Sequence, residues 1–247
     1  MKFFFKSLFK KIADAVFVDK YNCIVCGREL KGENRYALCE RCSAKLIYIA
    51  YPCKKCGKPL NRDTDYCIMC ENNTRHFTRT FSVFEYWGEI EKLIYALKFG
   101  GKKYIAKYLS AHLADKFLEE GLIADCITAM PLHESREKQR GYNQAGLLAE
   151  YLAKRLNLPL KNGLERVKAT EMQAQTSGRM RMKNVENAFL AVDEFRGQRV
   201  LLIDDVLTTG ATMSEAAKAL KKAGALEVIG LTLANVRDKL VRIPAPC

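Results

Sequence analysis

Residues Val200–Thr212 read VLLIDDVLTTGAT. Val200, Leu201, Leu202 and Ile203 form an unbroken apolar run, the pattern of a strand buried on both faces of a parallel sheet. Asp204 and Asp205 follow, where that strand is expected to end. After Val206 and Leu207 comes a small hydroxylated turn, Thr208-Thr209-Gly210-Ala211-Thr212. Met213, Ala216, Ala217 and Leu220 then recur at helical spacing, and Lys221, Lys222 and Gly224 supply the usual C-terminal signals.

A turn of this kind suits a phosphate. Gly210 allows close backbone approach, and a helix N-terminus presents unpaired N–H groups and the positive end of its dipole. Thr208, Thr209 and Thr212 add hydroxyl donors. The turn holds no lysine, so it does not read as a nucleoside-triphosphatase loop of the G-x-x-x-x-G-K-[ST] type. Paired carboxylates beside a phosphate cradle suit a sugar diol or a hydrated Mg²⁺, both of which want oxygen acceptors. The bland alternative is an ordinary strand–turn–helix whose acids are merely solvated.

Outward from this stretch, 247 residues accommodate one large domain or a domain plus a module. Apolar residues make up 49%, enough for a sizeable core, and no apolar run approaches the roughly 18 residues of a membrane span. The first 20 residues are basic and amphipathic; Lys2, Lys6, Lys10 and Lys11 interrupt any signal-peptide core. They read as a surface helix, or as a weak contact for membrane or nucleic acid. The expected location is cytoplasmic. Net charge is +13, and the first 80 residues hold +8 of it, so an anionic partner is expected unless the surface is generically basic.

Eight of the ten cysteines fall between Cys23 and Cys70, in four C-x-x-C pairs: Cys23/Cys26, Cys39/Cys42, Cys53/Cys56 and Cys67/Cys70. The segment repeats, CIVCG returning as CKKCG and CERC as CIMC. Two C-x-x-C turns complete one tetrahedral Cys₄ site, so two structural Zn²⁺ ions are expected. The repeat favours sequential sites, while a cross-braced pairing of first with third and second with fourth stays open. Disulfides are the competing account, disfavoured in a reducing cytosol. Each filled site would carry −2 and make the module less basic than its Lys and Arg content suggests. The module is either a nucleic-acid-binding double ribbon, with Tyr36, Tyr48, Tyr51 and Tyr66 as stacking candidates, or a purely structural staple.

Residues 71–80 are polar and read as a linker, with His76 part of it rather than a metal ligand. Phe81–Trp87 alternates like a strand, and Ile90, Leu93, Ile94 and Leu97 mark a helix. Ile105, Tyr108, Leu109, Leu113 and Phe117 mark another, with His112 packed on its apolar face. Cys126–Met130 reads as a buried strand carrying a core thiol, and Pro131-Leu132-His133 follows it. Then come a basic segment with Arg136, Lys138 and Arg140, and a helix with Leu148, Tyr151, Leu152 and Leu156. This alternation is that of a parallel α/β sheet, whose ligands sit beyond the carboxyl ends of the strands. Residues 166–184 are long, basic and poor in apolar side chains, the pattern of a mobile loop able to close over a diphosphate.

The thirteen residues from Val200 resemble the phosphoribosyl-diphosphate (PRPP) motif of type I phosphoribosyltransferases. A double C-x-x-C ribbon ahead of such a domain resembles the ComF/GntX family of competence-type proteins. PLHESREKQRGYNQ resembles its P-L…R-G-Y-N-Q segment, and IYALKFGG its L-K-x-x-G segment at Lys98. Arg166, Thr170, Gln173, Arg181 and Asn184 fall at its R-x₃-T-x₂-Q-x₇-R-x₂-N spacing, with Ala188-Phe189 following.

The resemblance covers roughly Cys23 to Arg237 and implies a phosphoribosyltransferase-like parallel sheet flanked by helices over 81–240, after the double zinc ribbon that the cysteines place over 21–72; the basic amphipathic helix read over 1–20 is the part least typical of the family. It implies PRPP with Mg²⁺ as ligand. Asp204 and Asp205 would face the ribose hydroxyls, Thr208–Thr212 the 5′-phosphate and Leu132-His133 the diphosphate. Arg166 and Arg181 are the loop charges over pyrophosphate, and Lys98, Arg140, Tyr142 and Asn143 are further candidates. Single-stranded DNA and competence or DNA-uptake proteins are the implied partners. Phosphoribosyl transfer to a nitrogen nucleophile and non-catalytic DNA binding, with PRPP as a regulatory or vestigial ligand, both remain as readings.

Overall fold

A computed structural model describes residues 21–61, 64–168 and 186–237. The basic stretch 1–20 and the loop candidates Thr170, Gln173, Arg181 and Asn184 lie outside the described residues.

Four parallel strands form the central sheet. They are β1 (Arg79–Glu85), β2 (Cys126–Ala129), β5 (Arg199–Leu207) and β6 (Glu227–Asn235), in the order β1-β6-β5-β2. The two inner strands are almost wholly buried, as a sheet covered on both faces requires. Helices α3 (Glu89–Phe99), α4 (Ile105–Glu119) and α6 (Gln144–Leu156) contribute to one hydrophobic cluster with Leu201, Ile203, Leu231 and Leu233. Helix α7 (Ala211–Lys222) packs Met213, Ala216, Ala217 and Leu220 with Val200, Leu202 and Val228 in a second cluster. Alternate residues of β5 thus serve the two clusters, as the period of a strand dictates. A hairpin of β3 (Leu164–Arg166) and β4 (Phe189–Ala191) belongs with the second cluster. The short helices α1 (Glu40–Ser43), α2 (Ile68–Glu71) and α5 (Glu134–Arg140) complete the described elements.

Two expectations shift. The acids do not end the strand: β5 runs on to Leu207, because β6 keeps pairing with it through Val206↔Ala234 and Leu207↔Asn235. Strand β1 starts at Arg79 and stops at Glu85, leaving Trp87 exposed. The segment ahead of β1, which reads as a polar linker, is pinned down. Thr78 N–H donates to Val228 O at 2.8 Å, His76 N–H donates to Ser214 Oγ at 3.1 Å, and Phe77 is buried.

The cysteine module is built into the sheet. Ile49 N–H donates to Val83 O at 3.2 Å and Glu85 N–H to Ile47 O at 2.8 Å, so Ile47–Ile49 covers the outer edge of β1 as an antiparallel partner. Covering an edge removes a row of unpaired backbone groups that would otherwise template aggregation. The first ribbon docks on α4, with Tyr36 stacked on His112 at 4.3 Å and its hydroxyl donating to Asp115 at 2.6 Å. Burial there pushes the His112 imidazole down to about 4, so it packs as a neutral ring, as its place on an apolar face suggested. The second ribbon docks on β1 and β6: Thr80 N–H donates to Lys55 O at 2.9 Å, and Asn235 Nδ2 donates to Cys56 O at 3.1 Å. Cys23 and Cys42 join the first hydrophobic cluster, while Cys53, Cys56 and Cys67 join the second.

Gly27 and Gly57 close equivalent C-x-x-C-G turns, both with positive φ (74° and 66°). A Cβ on Gly27 would meet open space, whereas one on Gly57 would lie 2.8 Å from Thr80 O. Gly27→Ala should therefore cost only the backbone penalty, about 1 kcal/mol. Gly57→Ala should cost a further ~1–3 kcal/mol for displacing the ribbon from β1. Thermal denaturation of the zinc-loaded proteins checks this; equal losses would refute the docking of the second ribbon.

Candidate functional site

Strand β5 delivers its two acids near the carboxyl end of the sheet, on opposite faces. Asp205 is buried, and Lys98 Nζ, from the last turn of α3, meets its Oδ1 at 2.9 Å. Its Oδ2 is buried without a partner among the described residues, an oxygen left free to accept. Asp204 Oδ1 accepts from the Asp205 N–H at 2.8 Å. Enclosure at the strand end, and then the Asp205 carboxylate beside it, raise the Asp204 carboxyl to about 7, against the pull of Lys98 and Arg166.

The turn that follows has the predicted form. Gly210 adopts the left-handed conformation, φ 73°, and α7 starts at Ala211 with no side-chain cap from Gly210. Thr209 Oγ1 accepts from Ala211 N–H at 3.4 Å. Thr208 is exposed and Thr212 half-buried.

Cations converge here. Burial lowers the Arg166 guanidinium, Arg136 adds to the effect, and Asp204 opposes it. Burial likewise lowers Arg140, with Asp205 opposing and Arg136 adding. Lys98, Arg136, Arg140 and Arg166 therefore share one electrostatic neighbourhood with the paired acids. Arg136, noted in the sequence only as part of a basic segment, is the member that motif reading left out of the site.

The R-G-Y-N-Q segment proves to be a strut. Tyr142 donates its hydroxyl to the Leu97 carbonyl, one residue before Lys98. Asn143 caps α6, its Oδ1 accepting from Ala145 N–H at 3.0 Å, and its Nδ2 donates to Met130 O at 3.0 Å. Arg140 donates to Gln144 Oε1 at 3.0 Å and lies over the Phe99 ring. The segment thus ties the end of α3 to the loop after β2. In that loop His133 caps α5, its Nδ1 accepting from Ser135 N–H at 3.3 Å, and Leu132 is half-buried.

The cysteines group sequentially: Cys23/Cys26/Cys39/Cys42 and Cys53/Cys56/Cys67/Cys70, the ligand atoms of each set within 4.8 Å of one another. The cross-braced pairing is excluded by this grouping. Cys26 and Cys39 Sγ lie 3.8 Å apart, and Cys56 and Cys67 Sγ 3.6 Å. Four thiolates at ~2.3 Å around a tetrahedral ion would sit about 3.8 Å apart, so both sets fit zinc. Hydrogen bonds from Cys56, Cys67 and Cys70 hold the Cys53 thiol far below its ordinary range, while the same network raises Cys56. Of the four tyrosines expected to stack on bases, Tyr36 is spent on His112 and Asp115; Tyr48 touches Phe84 yet is exposed, as are Tyr51 and Tyr66.

Residues 143–247 match the phosphoribosyl transferase domain model, and residues 12–71 the double zinc ribbon domain model. The chain is 34% identical over 218 residues to competence protein F of Haemophilus influenzae, covering 84% of this chain and 94% of that one. The chain belongs to the competence protein F family. A DNA utilization protein YhgH of Escherichia coli K12 is 31% identical over 83% of this chain and 93% of its own. Competence protein ComFC of Bacillus subtilis is 28% identical over 79% and 83%. Family membership brings with it a type I phosphoribosyltransferase domain and a ribbon with two tetracysteine zinc sites. In this family member, no helix among the described residues is long and apolar enough to cross a membrane.

The raised Asp204 carboxyl has a consequence for stability. Between about pH 4 and 7 the folded chain holds a proton that the unfolded chain has released, so Asp204 makes folding less favourable as pH rises through that window. The stability of Asp204→Asn relative to the parent should therefore rise by about 1–3 kcal/mol between pH 5 and pH 8. Urea midpoints of the zinc-loaded proteins at the two pH values check it; a pH-independent difference would remove the assignment.

Proposed function

We propose that the turn from Thr208 to Thr212, with Asp204 and Asp205, binds PRPP together with Mg²⁺. The observation that carries this reading is the buried Asp205, held by Lys98 on one oxygen and left with an unpartnered acceptor on the other, directly before a glycine turn at a helix N-terminus. The carboxylates accept from the ribose hydroxyls, and the turn and the α7 N-terminus hold the 5′-phosphate. Arg136, Arg140 and Arg166 supply the positive field that a diphosphate leaving group needs. Mg²⁺, bound with the ligand, would neutralise charge on the diphosphate and suits these oxygen donors. Of the loop candidates Thr170, Gln173, Arg181 and Asn184, Arg181 would add its charge over the pyrophosphate. The chemistry this supports is attack of a nitrogen nucleophile on the anomeric carbon with departure of pyrophosphate.

Calorimetric titration of PRPP with Mg²⁺ into zinc-loaded protein tests the reading. Heat saturating at one equivalent is expected, and Asp205→Asn should weaken binding by at least about tenfold. Continuing heat that requires a nucleobase identifies a transferase, and the base that sustains it is the acceptor. No heat from the parent protein would sink the proposal.

A second reading has its own support. Tyr51 and Tyr66 are exposed on the basic module, and the relatives from Escherichia coli are named for DNA utilization. Handling of single-stranded DNA at this surface, in the context of competence and DNA uptake, then accompanies PRPP binding or replaces turnover. Phosphate contacts release counterions, so affinity for an oligonucleotide should fall by about tenfold or more between 50 and 200 mM salt. Fluorescence anisotropy checks this, and a salt-independent affinity would count against the reading.

A further inference from the structure

We infer that Arg75 is a positioning residue for the phosphate turn, and that it couples this turn to the second cysteine centre. The inference rests on the PRPP reading of the turn. Arg75 lies in the polar stretch between the ribbon and β1, where the sequence suggests only a linker. Its side chain is nonetheless buried, 8% exposed, and its Nη2 donates to Thr209 O at 2.8 Å. The guanidinium comes within 3.8 Å of where a Cβ on Gly210 would stand, and its Nε has no partner among the described residues. A buried, charged donor on the carbonyl of Thr209 fixes the peptide that leads into Gly210. It also places a positive charge beside a turn meant for an anion.

The second cysteine centre holds Arg75 in place through a short covalent path. Cys67 and Cys70 bracket α2, a helix of four residues that is too short to form without help. Its C-terminal end is tied off by Asn72 Nδ2 donating to Ile68 O at 2.9 Å and by Asn73 Nδ2 donating to Met69 O at 3.0 Å. Arg75 on Thr209, His76 on Ser214 and Thr78 on Val228 follow in succession. Metal binding to the cysteines orders α2, α2 fixes Asn72 and Asn73, and these launch Arg75 towards the turn. A ligand that needs the ordered turn then favours the metal-bound ribbon, and by linkage the metal favours the ligand.

The test uses the full zinc-loaded chain. PRPP with Mg²⁺ is titrated into the parent, Arg75→Ala and Arg75→Lys, and zinc release to a chromophoric chelator is timed with and without PRPP. Arg75→Ala should weaken PRPP binding by about tenfold, and Arg75→Lys, which keeps the charge without the planar fork, by less. PRPP should slow the release of one of the two zinc equivalents several-fold in the parent and not in Arg75→Ala. If Arg75→Ala does not fold, Arg75→Lys carries both comparisons. Equal PRPP affinity in parent and variants overturns the inference while leaving the PRPP reading intact. Zinc release indifferent to PRPP in a parent that binds it also overturns the coupling. A parent that binds no PRPP removes the reading and the inference together.

Discussion

A carboxylate buried at the end of a central strand costs more than its packing returns unless a cation meets it. Asp205 is such a group, its side chain 5% exposed, and Lys98 meets it on one oxygen only. Much of the surrounding architecture serves that contact. Helix α3 has to end where Lys98 can reach β5. The Tyr142 hydroxyl takes the Leu97 carbonyl in that last turn, and Asn143 next to it holds the Met130 carbonyl in the loop after β2. One segment therefore sets the distance between the cation and the loop that faces it. Because Lys98 meets only one oxygen, the carboxylate is left partly desolvated, with its other oxygen able to accept a further donor.

The other fixed constraint is the edge of β1. A parallel sheet of four strands exposes two edges, and both are covered here. Pro159 and Lys161 bond Ile127 on one side, and Ile47 and Ile49 bond β1 on the other. The second cover comes from the cysteine module, whose segment is too short to hold a core of its own. Its two Cys₄ groups join opposite hydrophobic clusters, with the Ile47–Ile49 strap running between them. Metal-binding energy at both ends of the strap thereby becomes protection of the sheet edge.

Where the chemistry is carried by neighbouring residues, the sequence was legible. The turn at Gly210 needs one strand, one glycine and one helix start in succession, and Val200–Leu220 supplies all three in that order. Paired C-x-x-C turns show through for the same reason. The contact of Lys98 with Asp205 spans 107 positions, so nothing local announces it, and only the resemblance to a family pointed to Lys98. The end of β5 was misjudged because two adjacent acids look like a strand terminus. They remain inside the strand because β6 continues beside it, and β6 itself carries no motif to draw notice. Arg75 was hidden in a polar stretch whose composition is that of a linker; its burial depends on Thr209 and on α7, far away in sequence.

Composition divides the chain into a ribbon and an α/β domain, yet several hydrogen bonds that cross that division are buried or partly buried. Asn235 reaches the Cys56 carbonyl, Arg75 the Thr209 carbonyl, and Lys55 accepts the Thr80 N–H on its own carbonyl. Bonds of this kind make the ribbon and the end of the sheet one cooperative unit, in which opening either part exposes polar groups of the other. This bears on how the ribbon's role is to be judged. Deleting it removes an edge strand and the Arg75 contact on the Thr209 carbonyl, so loss of DNA binding or of PRPP binding in a truncated chain would follow from either reading of the ribbon. Substitution of exposed Tyr66 leaves the edge strand and the Arg75 contact in place. A ribbon that only staples the fold would tolerate that change, whereas one that stacks on bases would lose affinity at about 1–3 kcal/mol per ring.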